Sequence, residues 1–317
     1  MRSMLTGSTF FFDWEVQLME WLQAHMGPAA VEVISAFSAL GEELLLILIL
    51  GMVYWGISKK KGRTIGLGVL LALVAGASIK NIFLRRRPYF DNPGIQALRP
   101  VEKGADLYDI SAQGYSFPSM HSANAATAYG GIAYQVRKRW MTILAGVFIL
   151  MTGISRVCVG VHYPTDVLAG WCIGLASVFL APWLEKKIRD RRLLYAVFLL
   201  TAVPGFFFCR TEDFFTSAGL LAGFLAGSLF EETFVRFENT DHKVRILLRV
   251  LGGTAIYVLL NKVLKLPFSE EFLEGGSYAA LMVRFVRYMV IAFVEFGIYP
   301  MAFKAMDRYF AGRRQAV

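Results

Sequence analysis

A chain of 317 residues that is 56% hydrophobic, 14% aromatic and only 18% charged falls below the roughly 25% charged residues of a soluble domain and reads as a polytopic membrane protein. Its formal net charge of +9 does not point to nucleic acid, because the basic residues come in short packets between apolar runs and not on one solvated face; no nucleic-acid partner is expected. Cys158, Cys172 and Cys209 form no CxxC pattern and lie in or beside apolar segments, so neither a zinc site nor a disulfide framework is supported and they are expected as buried apolar thiols.

In chain order, the stretch FFFDWEVQLMEWLQAHMG mixes Phe, Trp, Leu and Met with acids at near-helical spacing, the pattern of a helix lying in the membrane interface. A cleaved signal peptide is not expected, because Phe10 to Phe12 run straight into Asp13, Glu15 and Glu20 with no small-residue cleavage site. A crossing needs about 20 mostly apolar residues. On that ruler nine spans are predicted, at 31–57, 64–84, 119–136, 141–158, 164–184, 193–209, 214–231, 246–265 and 278–302. The long connection 85–118 carries Pro88, Pro93, Gly94, Pro100, Gly104 and Gly114, and structureless loops of that length are usually functional or linkers. The spacing Gly219, Gly223, Gly227 predicts close approach of a neighbouring helix.

One set of loops is rich in Lys and Arg: Lys59 to Lys61 and Arg63, then Arg137 to Arg139, Lys186 to Arg192, Arg236 to Arg245, and a tail with Lys304, Arg308, Arg313 and Arg314. By the positive-inside rule these face the cytoplasm. The N-terminus and the opposite loops are then outside. The chain divides into an interfacial segment at 1–30, a core of five spans at 31–190 and a C-terminal extension of about four spans at 191–317. Glu42 and Glu43 lie toward the outer end of the first span, where ionisable groups are functional hypotheses by default. They bind a headgroup along a substrate channel or brace an arginine such as Arg85 or Arg86, unless they cap a shorter helix starting near Gly41. Arg284, Arg287 and Glu295 on the ninth span and Asn261 and Lys262 on the eighth pair as a structural network, with a second polar path or a homo-oligomer contact as the alternative.

Three polar clusters fall on the same outer side. In KNIFLRRRPY, Lys80 stands seven residues before Arg87, about two turns away on the second span, so both cations point along similar directions before the chain leaves at Pro88. In GYSFPSMHS, Pro118 suits the first turn of a helix, leaving the N–H groups of Ser119, Met120 and His121 free as an anion site. In SRVCVGVHYPTD, Pro164 again marks a helix start, which places Asp166 in the first turn and within reach of His162. Taken singly, each cluster has a structural explanation: a snorkelling lysine, a charged helix end, a polar cap. Together they place three cations, two histidines and a histidine-orienting acid at one membrane depth, where such groups are expensive. Phosphoryl transfer fits them. Lys80, Arg87 and Arg156 neutralise phosphate oxygens, the N–H groups at Ser119 to His121 add fixed donors, His162 is the nucleophile held by Asp166, and His121 is the general acid. No cluster supplies the oxygen ligands that Mg²⁺ or Ca²⁺ wants, so no cofactor is expected and chelators should not inhibit.

These three stretches resemble the signature of the type 2 phosphatidic acid phosphatase superfamily, KX6RP, PSGH and SRX5HX3D, with every internal spacing kept. The resemblance implies a helical-bundle core, metal-independent hydrolysis through a phosphohistidine, and the roles argued above for Lys80, Arg87, Ser119, His121, Arg156, His162 and Asp166. The glycine of PSGH is Met120 here; a helical backbone accepts it, while its side chain narrows the pocket. The nine-span layout is similar to that of glucose-6-phosphatase and sphingosine-1-phosphate phosphatases, an analogy that carries no substrate information. The expectation is an all-α, polytopic transmembrane helical bundle in a plasma or inner membrane. Its substrate is a membrane lipid, as a phosphate monoester or diphosphate of the phosphatidic acid, phosphatidylglycerol phosphate, sphingosine-1-phosphate or undecaprenyl diphosphate type. Hydrolysis of a soluble ester such as a sugar phosphate, and a non-catalytic lipid-binding or transport scaffold that keeps the motif as a headgroup clamp, stay open on the sequence.

Overall fold

The computed structural model describes the backbone of residues 7–314 and the side chains of 7–307, so the tail cations Arg308, Arg313 and Arg314 lie outside the described side chains. Helices account for the named elements, and an isolated bridge pairs Ser8 with Arg85. The first half runs α1 (Asp13–His25), α2 (Pro28–Ser38), α3 (Glu43–Gly51), α4 (Lys59–Phe83), the short α5 (Pro88–Asp91) and α6 (Ile110–Gln113), α7 (Met120–Val136), α8 (Arg139–Cys158) and α9 (Pro164–Lys187). The second half runs α10 (Arg191–Ala202), α11 (Gly205–Phe208), α12 (Glu212–Phe230), α13 (Lys243–Val263), α14 (Glu270–Glu274), α15 (Tyr278–Phe293) and α16 (Met301–Arg314).

The protein is an integral, multi-pass membrane protein. Among the described residues six helical runs are long and apolar enough to cross a bilayer: α4, α8, α9, α10 continued through α11, α12 with the turn that follows it, and α13. The run 28–57 is a seventh if its two halves, bent by 51°, form one span. Two of the nine predicted segments fall short of this measure for visible reasons. Helix α7 has 17 residues, and α15 with its π-helical continuation to Ile298 contains Arg284, Arg287 and Glu295. The first predicted span is not one helix. It breaks at Glu42, whose backbone is extended at φ −76° and ψ 146°, and Glu43 opens the first turn of α3.

The chain divides into two compact units, one formed by the chain up to Leu46 with Ala75–Phe179, the other by Ile47–Val74 with the chain from Leu180 onward. In the first unit, α7 is built from small residues, and Ala123, Ala125, Ala126 and Ala128 are fully buried. Helix α9 approaches it closely through glycines. A Cβ on Gly170 would lie 2.4 Å from the Ser119 carbonyl, and one on Gly174 2.5 Å from that of Ala123. The backbone of Asp166 accepts a 2.9 Å bond from the Ser119 N–H, so two of the sequence motifs are joined where their helices begin.

In the second unit the glycine stripe does what its spacing predicts. Cβ atoms on Gly219 and Gly223 would meet the carbonyls of Phe285 and Met289 at 2.4 and 2.1 Å, which seats α12 directly on α15. Arg287 pairs with Asn261 (Nη2 to Oδ1, 3.1 Å) as expected, while Arg284 turns to Glu212 and Thr216. The basic loops are not all devoted to topology: Arg63 is buried and pairs with Glu185 and Glu232, and Lys59 meets the fully buried Glu231 at 2.9 Å. Cys158 and Cys209 are buried, but Cys172 is exposed.

Candidate active site

Each predicted catalytic residue lies in the first unit. The segment that carries Arg87 is not helical. Helix α4 ends at Phe83, Leu84 takes φ +49°, and Arg85 to Arg87 run extended, pinned by Ser8 (Ser8 N–H to Leu84 O, 2.8 Å; Arg86 N–H to Ser8 O, 2.9 Å) and by Ser116 (N–H to Arg85 O, 2.8 Å). Lys80 thus stands on α4, and Arg87 reaches the site from a strand-like turn and not from two turns further along the same helix. Both are buried. The Arg87 guanidinium is fixed by main-chain carbonyls: Nε donates to Gln113 O at 2.8 Å and Nη1 to Val161 O at 2.9 Å, leaving Nη1 3.4 Å from His162 Nε2.

His162 sits in the connection between α8 and α9. Pro164 starts α9 as predicted and Asp166 falls in its first turn. Asp166 Oδ2 accepts the Tyr163 N–H at 2.8 Å and lies 3.5 Å from His162 Nδ1. That second distance is long for a hydrogen bond, as catalytic contacts often are before substrate binds. With the proton on Nδ1 toward the carboxylate, the tautomer assigned from these neighbours, Nε2 presents its lone pair to the phosphate side. Burial first, then the charges of Arg87, Arg156 and Lys80, hold the His162 imidazole well below its ordinary pKa of about 6.5, so the neutral, nucleophilic form persists. A depressed folded-state value means that His162 stabilises the fold above about pH 6.5 and that this contribution is lost as pH falls from there toward the folded value. Two results are expected: the melting temperature falls over that window, and the His162 limb of kcat/KM, after division by the substrate's own ionisation, lies below about pH 6.5.

Arg156, near the end of α8, is buried and its Nε has no hydrogen-bond partner among the described residues. An unpartnered buried guanidinium nitrogen is costly without a ligand. His121 lies within electrostatic reach of Arg156, His162, Arg87 and Lys80, which brings all three motifs to one place. The helix N-terminus differs from the expectation. Pro118 precedes the N-cap, Ser119 is the N-cap with its Oγ accepting the Ser122 N–H at 3.4 Å, and α7 begins at Met120. The Ser119 N–H is used by Asp166, so of the three predicted donors Met120 and His121 remain as first-turn N–H groups with no place in the helical ladder. Met120 has a matched gap: a Cβ on Gly76 of α4 would lie 2.5 Å from its Sδ. Its bulk fills the space of that missing side chain.

Glu42 braces an arginine, but the arginine is Arg99 and not the Arg85 or Arg86 named from the sequence. Arg86 pairs with Asp91 at 2.5 Å, Glu42 pairs with Arg99 at 2.7 Å, and Glu43 occupies the first turn of α3. Arg99 also donates to Ser35 O at 2.5 Å. Sequence reasoning missed Gly41. A Cβ there would lie 2.7 Å from the His121 carbonyl and 3.0 Å from its Cα, so the break between α2 and α3 is what lets the chain lie against the His121 backbone. Gly41→Ala is expected to push α7 outward, to lower the melting temperature by the cost of overpacking and to lower the rate of phosphate release by about 10- to 100-fold, the scale of a displacement of about 1 Å in a catalytic group, measured on the folded fraction.

Residues 61–190 match the family described as the PAP2 superfamily, and residues 215–312 match the description PAP2 superfamily phosphatase, transmembrane extension. Phosphatidylglycerophosphatase B of Bacillus subtilis (strain 168) is 42% identical over 92 residues, 26% of this chain and 45% of that protein. An undecaprenyl-diphosphatase of Sulfolobus acidocaldarius is 32% identical over 140 residues, 42% of this chain and 62% of that protein. A solved transmembrane PAP2 type phosphatidylglycerolphosphate phosphatase from Bacillus subtilis is 30% identical, with 55% of this chain and 86% of that one covered and a TM-score of 0.44. The chain spans between 45% and 62% of the length of these two curated relatives. It belongs to the PAP2 superfamily.

Proposed function

We infer that the protein is a membrane phosphatase that hydrolyses a lipid phosphate monoester or diphosphate through a phosphohistidine. The observation that carries this reading is the setting of His162: a carboxylate on the Nδ1 side, Arg87 on the Nε2 side, and a buried Arg156 whose Nε lacks a partner among the described residues. The Nε2 lone pair forms the bond to phosphorus. The P–O bond to the leaving group, an ester in a monoester and an anhydride in a diphosphate, breaks, and the leaving oxygen keeps the electron pair and takes a proton from His121. Water then attacks phosphorus, the N–P pair returns to His162, and His121 recovers a proton from that water. Lys80, Arg87, Arg156 and the N–H groups of Met120 and His121 carry the charge that gathers on the phosphoryl oxygens. The donor set, three cations, two imidazoles and one carboxylate, is a poor cage for a hard divalent ion, so activity is expected to survive a chelator.

The relatives' names favour lipids over soluble esters, and the Lys and Arg distribution of the loops favours a site on the extracytoplasmic side with the C-terminus in the cytoplasm. The core at 31–190 then carries the chemistry and 191–317 the extension. Purified protein in detergent, offered phosphatidic acid, phosphatidylglycerol phosphate, sphingosine-1-phosphate, undecaprenyl diphosphate and glucose 6-phosphate, should release phosphate from at least one lipid, with orthovanadate inhibiting. Release from the sugar phosphate alone would overturn the lipid assignment.

A further inference from the structure

The interfacial helix α1 contributes a group that neither the motifs nor the proposed mechanism uses. Its outer face is apolar and exposed at Trp14, Leu18 and Trp21, whereas Glu15 and Met19 are fully buried. Glu15 Oε2 accepts Arg85 Nη2 at 2.8 Å and the Phe12 N–H at 3.0 Å; Oε1 accepts the Thr165 N–H at 3.0 Å and its hydroxyl at 2.6 Å. Arg85 in turn donates from Nη1 to Asp166 Oδ1 at 2.7 Å and from Nε to Phe10 O at 2.8 Å, and its guanidinium lies between the rings of Phe10 and Tyr163 at 4.5 and 4.0 Å. Glu15, Arg85 and Asp166 all have fully buried side chains. The chain of contacts therefore runs from the membrane-surface helix to the nucleophile: Glu15, Arg85, Asp166, His162.

We propose that Glu15 and Arg85 are positioning residues for the nucleophile, with Arg85 fixing the Asp166 carboxylate and Glu15 supplying the negative charge that keeps this cluster anionic. The reasoning is a charge count. Arg85 and Asp166 alone are neutral as a pair, and a neutral pair gives little compensation when the N–P bond makes the His162 ring cationic. Two carboxylates on one guanidinium leave one net negative charge beside that ring. The same fork orients the acid: Arg85 occupies Oδ1 and the Tyr163 N–H approaches Oδ2, so the oxygen facing His162 is determined by the contacts on both sides. This inference rests on the phosphatase reading.

The test uses the full chain in detergent, with phosphate release from the best lipid of the panel and orthovanadate as a transition-state probe that bonds to Nε2. Glu15→Gln keeps the shape and removes the charge. It is expected to melt within a few degrees of the wild type, to lower kcat by about 10- to 100-fold, the usual loss when a partner behind a functional imidazole is removed, and to leave KM within about threefold while orthovanadate affinity falls. A purely structural Glu15 would move melting temperature and not split kcat from KM. Arg85→Lys is the second variant, because a lysine keeps the charge but cannot span two carboxylates; the same split is expected of it. Either variant, folded and with kcat within twofold of the wild type, overturns the proposal. A wild type that neither releases phosphate nor binds orthovanadate refutes the phosphatase reading itself and the inference with it; an active wild type matched by Glu15→Gln refutes the inference alone.

Discussion

Asp166→Asn is expected to lower phosphate release by about 10⁴-fold in a protein that still folds. Both carboxylate oxygens face donors, Arg85 Nη1 at Oδ1 and the Tyr163 N–H at Oδ2. An asparagine must turn its NH₂ toward one of them. If the oxygen stays with Arg85, the NH₂ faces His162 Nδ1 and donates to it, which forces the ring proton onto Nε2 and removes the lone pair that attacks phosphorus. Arg85 still has Glu15, so the core loses one ion pair without losing its guanidinium anchor. Single-turnover phosphate release, read with the melting temperature of the same preparation, checks both halves. A variant within tenfold of wild-type activity would remove Asp166 from the mechanism.

Arg85→Met is expected to be the most destabilising single substitution in the site. Removing one partner of a buried ion pair leaves an uncompensated charge and costs about 3–5 kcal/mol, and here one guanidinium serves two fully buried carboxylates. Methionine preserves much of the packing between Phe10 and Tyr163, so the loss is electrostatic in origin. Thermal unfolding in detergent should show a large drop for Arg85→Met and a small one for Arg86→Met, because Arg86 is partly exposed and its ion pair among the described residues is with Asp91. Equal drops would mean that the Arg85 cluster is not what holds the N-terminal helix to the core.

The sequence made the chemistry legible more fully than the geometry that supports it. The three motifs could be read because each combines charged residues with apolar neighbours at fixed spacing, and the positions of Pro164 and Asp166 follow from helix-start rules alone. Pro118 misled for a local reason: a proline before a serine N-cap and a proline at the first helical position look alike in sequence. Arg87 was placed on the second span because an apolar run continues to Leu84, and nothing in the local pattern reveals that φ turns positive there. Glu15 was hidden by its setting. An acid among tryptophans and leucines on an amphipathic stretch reads as the wet face of an interfacial helix, and only the contact with Arg85, 70 residues away, makes it part of the site. Gly41 was similarly unreadable, since its requirement comes from the backbone of His121 and not from its own neighbours. The span count shows the limit of hydropathy. Helix α7 is short and made of small, buried residues, and α15 carries three ionisable groups together with its continuation.

The most direct test of the mechanism is the covalent intermediate. Protein mixed with its lipid phosphate and quenched in alkali, where a phosphoramidate survives, should carry one phosphoryl group on the peptide that contains His162 by mass spectrometry. Asp166→Asn should accumulate less of it, and His162→Ala none. Phosphoryl on another residue, or turnover at the wild-type rate by His162→Ala, would contradict the assignment of His162 as the nucleophile.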